Sequence, residues 1–291
     1  MRILITNVVG VDNKGDQALF EALLHGIRRT HPDAKIEAVS AFTSRNQRVY
    51  PEIRWWPLPW TSRFRTRLLR RLATAPRLLL FLVQSVLLPA RVPLLRSYRE
   101  ADLIVACPGG YLHDHTGSFY AHALQIWLGV RFRKPVVLAP QSIGPIRKPV
   151  MRTVARFLLS RVSAVFVREH WSFRFLAEDL QLERRDHVQC TTDLAFSHPG
   201  IRPTSEPAAS RGVVGMTLID WSFYGDHVKK ARYEEIVRRL CQYLRDKGVE
   251  VVLLLQTQGR VAFADDAQLS ERIRREFDCR LVEQADSLED Y

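Results

Sequence analysis

Acidic residues are missing from a long stretch of this 291-residue chain: none lies between Glu52 and Glu100. Cysteine is sparse too. Cys107, Cys190, Cys241 and Cys279 stand far apart, with no C-x-x-C pair and no Cys/His cluster. That excludes a structural zinc site of the usual spacing, and no metal is expected. Cys107 and Cys190 fall in apolar, strand-like runs and read as buried free thiols of a reducing compartment. Neither a G-x-G-x-x-G nor a G-x-x-x-x-G-K-[ST] pattern occurs. The apolar segment LLLFLVQSVLLPA (78–90) is too short for a bilayer core of ~30 Å. The opening residues, MRILITNVVG, enter a strand directly, without an apolar signal core or an A-x-A site. No repeat beyond βα units and no low-complexity tract is visible. These absences predict a cytoplasmic protein, with the inner face of the membrane as its alternative place.

What is present is ordinary globular material, 46% hydrophobic and 25% charged. The length exceeds the usual single domain, so two domains are expected. A net charge of +12 favours anionic partners: nucleic acid, lipid headgroups or a small acidic substrate. An arginine-rich composition with no special partner is the plain alternative. Nucleic acid ranks last, because no RRM, KH, zinc-finger or recognition-helix signature accompanies the charge.

Strand and helix patterns alternate along the chain. Strands are expected at 2–8, 34–42, 101–110 and 163–169, and a strand with its loop at 135–145 and at 186–196, with helices at 16–30, 119–132, 149–161 and 170–180. The strands are nearly continuous apolar runs, as in parallel sheets covered on both faces. This is the pattern of a doubly wound α/β domain over 1–198. The Pro/Ser/Gly-rich stretch 199–211 reads as a linker. A second α/β unit follows at 212–291, with strands at 212–218, 249–256 and 279–284 and helices at 228–247 and 265–276. Three strands make a thin sheet, so this unit reads as incomplete.

Residues 61–99 break the pattern with a basic, apolar helical insertion cut by Pro76, Pro89 and Pro93. One reading is a membrane-surface element, with Arg63, Arg65, Arg67, Arg70 and Arg71 toward lipid phosphates. The other, ranked slightly ahead, is a helix packed on the domain with solvated arginines.

In open α/β sheets, ligands bind beyond the carboxyl ends of the strands. Five loops there carry unusual residues. In VVGVDNKGDQALFEALLHGI (8–27), Asp16 stands where a phosphate loop has lysine, which argues against nucleoside triphosphate. Asn13 and Asp16 either cap the following helix or accept hydrogen bonds from substrate hydroxyls, with Gly15 between them. In CPGGYLHD, Gly109 and Gly110 permit a close backbone approach or only a tight turn, and His113 and His115 can titrate. APQSIGPIRK offers Gln141 and Ser142 as neutral partners and Gly144-Pro145 as a sharp turn. In FVREHWS, Arg168 stands at a strand end before a helix and suits an anion, or else pairs with Glu169 or Asp193. In TTDLAF, Asp193 orients Arg168, caps a turn or acts on substrate. Trp221 and Tyr224 could stack on a sugar, although core or linker packing is the simpler use.

Taken in order, NKGDQAL (13–19), PGGYLHD (108–114), APQSIGP (139–145), VREHWSFRFL (167–176) and TTDLAF (191–196) resemble the polysaccharide pyruvyltransferase family. Each motif is weak alone; five in sequence are fairly specific. The resemblance implies two Rossmann-like, doubly wound domains facing a cleft in a GT-B-like arrangement. It also implies transfer of a pyruvyl group from phosphoenolpyruvate to a sugar, giving a pyruvate ketal. Phosphoenolpyruvate is then the donor substrate, with no separate cofactor, and the acceptor is a saccharide or lipid-linked saccharide. The family's later S-x-R-L-H segment and lysine would fall beyond Tyr291. On this reading Arg168 clamps an anionic group of the donor and Asp16 meets the sugar hydroxyls. Asn13, Gly15, Gly109, Gly110, Gln141, Gly144 and Asp193 complete the substrate contacts. The rival readings are a GT-B glycosyltransferase using a nucleotide-sugar and a non-catalytic glycan- or membrane-binding module.

Overall fold

The computed structural model describes residues 1–59, 67–115, 118–182, 186–200, 212–219, 227–257 and 266–282, the side chains of 67–73 and 227 excepted. Most of the expected linker (201–211), Arg63, Arg65, Trp221 and Tyr224 lie outside the described residues, as do the side chains of Arg67, Arg70 and Arg71. The chain divides into two compact units. The first comprises Met1–Val11 and Leu19–His198; the second comprises Asp12–Ala18 and Pro199–Tyr291.

The first unit is built on strands β1 (Arg2–Val8), β2 (Lys35–Ser40), β3 (Arg54–Pro57), β4 (Leu103–Ala106), β5 (Gly109–Leu112), β6 (Val136–Ile143), β7 (Ala164–Val167) and β8 (Val188–Cys190). Their order is β3-β2-β1-β4-β6-β7-β8, with β5 also paired to β6, and every pairing is parallel. The order reverses at β1, so the switch point of the sheet lies between β1 and β4.

The apolar runs are continuous because both faces are covered. Ile3 and Ile5 of β1 join Val105, Ala139 and the α1 (Lys14–Thr30) residues Phe20, Leu23 and Leu24 on one side. Leu4 faces the other side, with Ile104, Leu138 and Val165. That second face is packed by α4 (Pro93–Glu100), α5 (Phe119–Arg131) and α6 (Pro149–Leu159). Alternate side chains of a strand thus enter different cores, which removes any polar alternation from the sequence.

The structure departs from the sequence expectations at several places. α2 (Thr43–Val49) and β3 had no sequence signal; β3 is four residues long on the sheet edge. The run 101–110 makes two strands, β4 and β5, rather than one. α3 (Arg67–Leu87) runs through Pro76, whereas Pro89 opens a 3-10 turn and Pro93 opens α4, where a missing N–H costs nothing. Cys190 is exposed rather than buried, because β8 is the far edge strand; Cys107 is buried as expected. Among the described residues no helix is long and apolar enough to cross a membrane.

The second unit has a parallel three-stranded sheet, β11-β10-β9, formed by β9 (Val213–Met216), β10 (Glu250–Leu254) and β11 (Arg280–Val282). α8 (His227–Asp246) and α9 (Asp266–Phe277) bury Val237, Cys241, Leu269 and Ile273 against Val251 and Leu253.

Candidate functional site

The carboxyl ends of the central strands of the first unit gather most of its unusual polar residues. Arg168 follows β7 directly, and α7 (His170–Arg174) starts two residues later. The Arg168 guanidinium is held on two sides. Nε donates to Ser142 Oγ at 2.8 Å, and Nη1 donates to Asp193 Oδ2 at 2.6 Å. Its backbone N–H donates to the Gln141 carbonyl. About a quarter of the side chain remains exposed. The third nitrogen, Nη2, lies 3.7 Å from where a Cβ on Gly110 would sit, and Gly110 itself is exposed.

Asp193 does two things at once. Oδ2 takes the arginine, and Oδ1 accepts from the Ala195 N–H at 2.9 Å, capping the short 3-10 turn Leu194–Ser197. Glu169 is fixed by two hydroxyls. Ser142 donates to Oε2 at 3.0 Å, and Ser172 donates to Oε1. The Ile143 N–H donates in turn to Ser172 Oγ at 2.8 Å. Ser142, Glu169 and Ser172 therefore form a brace around Arg168 that sequence reading underweighted. Ser172 follows Glu169 by three residues in V-R-E-H-W-S, whereas Ser142 of Q-S-I-G-P reaches Arg168 and Glu169 only through the fold.

Gln141 and Gly144 turn inward. Gln141 is fully buried, and its amide donates to the Tyr111 hydroxyl at 2.7 Å. Tyr111 donates to the Cys107 carbonyl at 2.9 Å. Burial pushes the Tyr111 phenol far up, against the hydrogen bond from Gln141, so it stays protonated. Gly144 has φ +94°, and a Cβ there would sit 2.8 Å from the Phe175 ring. Its missing side chain makes room for the Phe175 ring. Gly109 lies against Tyr111 in the same way, with Cδ1 3.2 Å from a built Cβ.

Two neighbouring loops are cross-tied by Asp114. Its Oδ2 accepts from the backbone N–H groups of Arg147 (2.5 Å) and Lys148 (3.1 Å). Burial alone would raise the Asp114 carboxyl, but these bonds outweigh it and hold the group below its ordinary range. His113 and His115 have ring centroids 5.4 Å apart. Desolvation, then the charge of His115, lowers His113 despite nearby Asp114. His122 stacks on Tyr111 at 4.2 Å, and desolvation with the charge of His113 brings it down to about 4.

At the end of β1 the loop is fixed by a residue that the sequence did not announce. Asn46 is fully buried; its Oδ1 accepts from the Val11 N–H and its Nδ2 donates to Ser40. Asn7, at φ +63°, donates its N–H to Gln125. A left-handed asparagine at a switch point marks a backbone shaped by its surroundings.

Asn13, Gly15 and Asp16 belong to the second unit. Asn13 precedes α1 and its Oδ1 accepts from the Asp16 N–H at 3.2 Å, so it caps the helix. Asp16 is the acidic residue of the first turn, where the helix dipole favours a negative charge. Within this unit Asn13 bridges Thr257 antiparallel, and the Lys14 N–H donates to the Gln256 carbonyl. A Cβ on Gly15 would sit 3.2 Å from Asn13 Oδ1 and 3.5 Å from Gln256 Nε2. Thr257 donates to buried Asp266 at 2.6 Å, which anchors this strip to α9.

The chain has relatives in sequence and in fold. The sequence is 21% identical to the amylovoran biosynthesis protein AmsJ of Erwinia amylovora over 301 aligned positions, covering 92% of this chain and 69% of that protein. The structure is similar to Anabaena HepE, solved with UDP-glucose, at a TM-score of 0.53 and 14% identity, covering 98% of this chain and 70% of that one. It is also similar to the UDP-GlcNAc 2-epimerase of Neisseria meningitidis bound to UDP-GlcNAc, at 0.55 and 13%, covering 99% and 74%. These two likenesses show the fold alone: mostly parallel, Rossmann-like α/β units of the GT-B-like class. The family model for polysaccharide pyruvyl transferase matches residues 13–288, nearly the whole chain. The chain belongs to that family.

Proposed function

We propose that this family member moves a pyruvyl group from phosphoenolpyruvate onto two hydroxyls of one sugar in a polysaccharide precursor, closing a pyruvate ketal. The donor carries a carboxylate and a phosphate, so the reaction needs a cationic fork at a fixed angle. Arg168, braced by Ser142 and Asp193 beneath exposed Gly110, is the single observation that carries this reading. A guanidinium so held has lost its rotamer freedom before the donor arrives, and a bidentate partner gains by that.

The chemistry balances without a further reactant. One sugar hydroxyl attacks C2 of the enol while C3 gains a proton. The C2–O bond to phosphate then breaks, and the second hydroxyl closes the ketal on C2. Of the two hydroxyl protons, one is balanced by the new methyl and the other leaves with phosphate. Arg168 stabilises the donor anion through the step in which negative charge gathers on the leaving phosphate. Asp193 and Ser142 act through Arg168 and are positioning residues. Asn13 and Asp16 serve the acceptor, with Asp16 accepting from a sugar hydroxyl.

The test is phosphate release from phosphoenolpyruvate with a panel of saccharide and lipid-linked saccharide acceptors. Wild type should release phosphate only when an acceptor is present. Arg168→Ala should abolish release, and Arg168→Lys should retain a small part of it, since lysine keeps the charge but not the fork. Near-normal turnover by Arg168→Ala removes the residue from the site. Thermal stabilisation by UDP- or GDP-sugars, without any turnover of phosphoenolpyruvate, replaces the reading with a glycosyltransferase.

A further inference from the structure

α3 is apolar on the side that faces away from the domain. Phe81 and Ser85 are buried on its inner side, and Leu78 and Leu82 line a groove there. On the outer side Leu79, Leu80, Val83, Val86 and Leu87 are exposed, Leu79 by 64% and Leu87 by 68%. At 3.6 residues per turn these five and exposed Pro76 fall within an arc of about 120°. A helix that is apolar on both sides normally has a second apolar medium to face. This one is not long and apolar enough to cross a bilayer.

The surface continues beyond α3. The groove, of about 470 Å³, is closed by Trp127 of α5 and Phe157 of α6, with Tyr120 at half exposure. Exposed arginines lie on its aromatic rings: Arg161 is 3.9 Å from the Phe157 centroid, and Arg131 is 6.0 Å from that of Trp127. The three helices of this face, α3, α5 and α6, carry no acidic residue. All three helices come from two acid-free segments, 53–99 with ten arginines and 115–168 with nine arginines and lysines. An apolar face on helices whose only charges are basic complements an anionic lipid surface.

We infer that the outer face of α3, with the rim of the α3–α5–α6 groove, seats the protein on an anionic bilayer surface. α3 then lies in the interfacial plane with its five outward aliphatic residues at the acyl boundary. Arg91, Arg131 and Arg161 reach the headgroups. The inference does not depend on which donor the site takes.

Flotation of the full chain with vesicles tests it. Wild type should float with vesicles of phosphatidylcholine containing roughly a third phosphatidylglycerol at low salt, and not with phosphatidylcholine alone. High salt should weaken the association. The triple variant Leu79→Gln, Val83→Gln, Leu87→Gln changes only exposed positions, so its melting midpoint should match wild type. Its partition to anionic vesicles should fall roughly tenfold or more. Absence of flotation at low salt overturns the inference. Flotation that the triple variant leaves unchanged does so as well, since charge alone then accounts for it. So does a wild-type dimer that the variant converts to monomer, because a second copy of the chain then covers this face.

Discussion

Arg168 and Asp193 meet at 2.6 Å across the ends of two adjacent strands, one residue past β7 and three past β8. Asp193 neutralises part of the charge that a donor anion would seek, and it also fixes the direction of the guanidinium. Asp193→Asn keeps an oxygen for the Ala195 N–H but sets an NH2 donor against Arg168 Nη1, so the charge and the hydrogen bond to the guanidinium are both lost. The expected result is a kcat roughly tenfold lower, about 1.4 kcal/mol, with no proportional rise in the phosphoenolpyruvate KM. Orientation is lost while the pull on the anion grows. Asp193→Ala should also lose the turn cap and about 1 kcal/mol of stability, measured by denaturant unfolding. An unchanged kcat in Asp193→Asn would show that the pair is structural only.

Gly144 is required by packing and by backbone conformation together. Its φ of +94° is unfavourable for any side chain, and a Cβ would stand 2.8 Å from the Phe175 ring. Gly144→Ala should cost about 2–4 kcal/mol in denaturant unfolding. Gly26, inside α1, offers the control, since nothing lies within 4 Å of its added Cβ and its φ is ordinary. Gly26→Ala should stabilise by about 0.5–1 kcal/mol. Equal midpoints for the two variants would contradict the account of Gly144.

Most elements of both sheets were legible because buried parallel strands and their crossover helices leave a strong, regular hydrophobic signal. β3 and α2 were not, since a four-residue edge strand and a seven-residue helix bury too little to mark the sequence. Gly109 and Gly110 looked like the turn that ends one strand; pairing with β6 makes Gly109–Leu112 a strand of its own. At the site, Arg168 stood out as a lone cation after an apolar strand. Its brace of Ser142, Glu169 and Ser172 did not, because hydroxyls gain meaning only from the partners that folding brings near. Gln141 and Gly144 looked like ligand contacts in a polar loop, yet they face Tyr111 and Phe175. Sequence spacing cannot tell which side of a strand end a residue will take. The apolar side of α3 was visible as composition, but which half of it is exposed depended on where Phe81 and Ser85 pack.

Glu37 gives the fold an acid-sensitive tie. It accepts hydrogen bonds from Ser97 Oγ (2.7 Å), Trp56 Nε1 (2.5 Å) and Arg2 Nη2 (3.3 Å), joining α4, β3 and β1. Burial alone would raise its pKa, but these three donors outweigh burial and hold it below the ordinary 4.5. A carboxyl lowered in the folded state contributes stability that is complete above its unfolded pKa and is lost as pH falls through the folded one. Wild-type unfolding free energy should therefore decline from about pH 4.5 downward. Glu37→Gln should be less stable than wild type at neutral pH, and the gap should narrow in acid. A constant gap from pH 7 to pH 3 would show that Glu37 acts through packing and not through its charge.

Gly110 decides whether the open side of Arg168 is where the donor arrives. A Cβ at this position would rest 3.7 Å from both Arg168 Nη2 and the Ser142 Cβ, an ordinary contact. Alanine therefore fits, and Gly110→Ala should keep wild-type stability and nearly wild-type phosphoenolpyruvate KM. A longer side chain adds bulk beside the guanidinium. Gly110→Leu should raise the donor KM roughly tenfold or more while the melting midpoint holds, because the position is exposed and the brace beneath it is untouched. Acceptor KM should change less than donor KM, since the obstruction lies over the arginine. A leucine variant with wild-type donor KM would mean that the anion approaches Arg168 from another side, and the assignment of Gly110 to the donor path would be withdrawn.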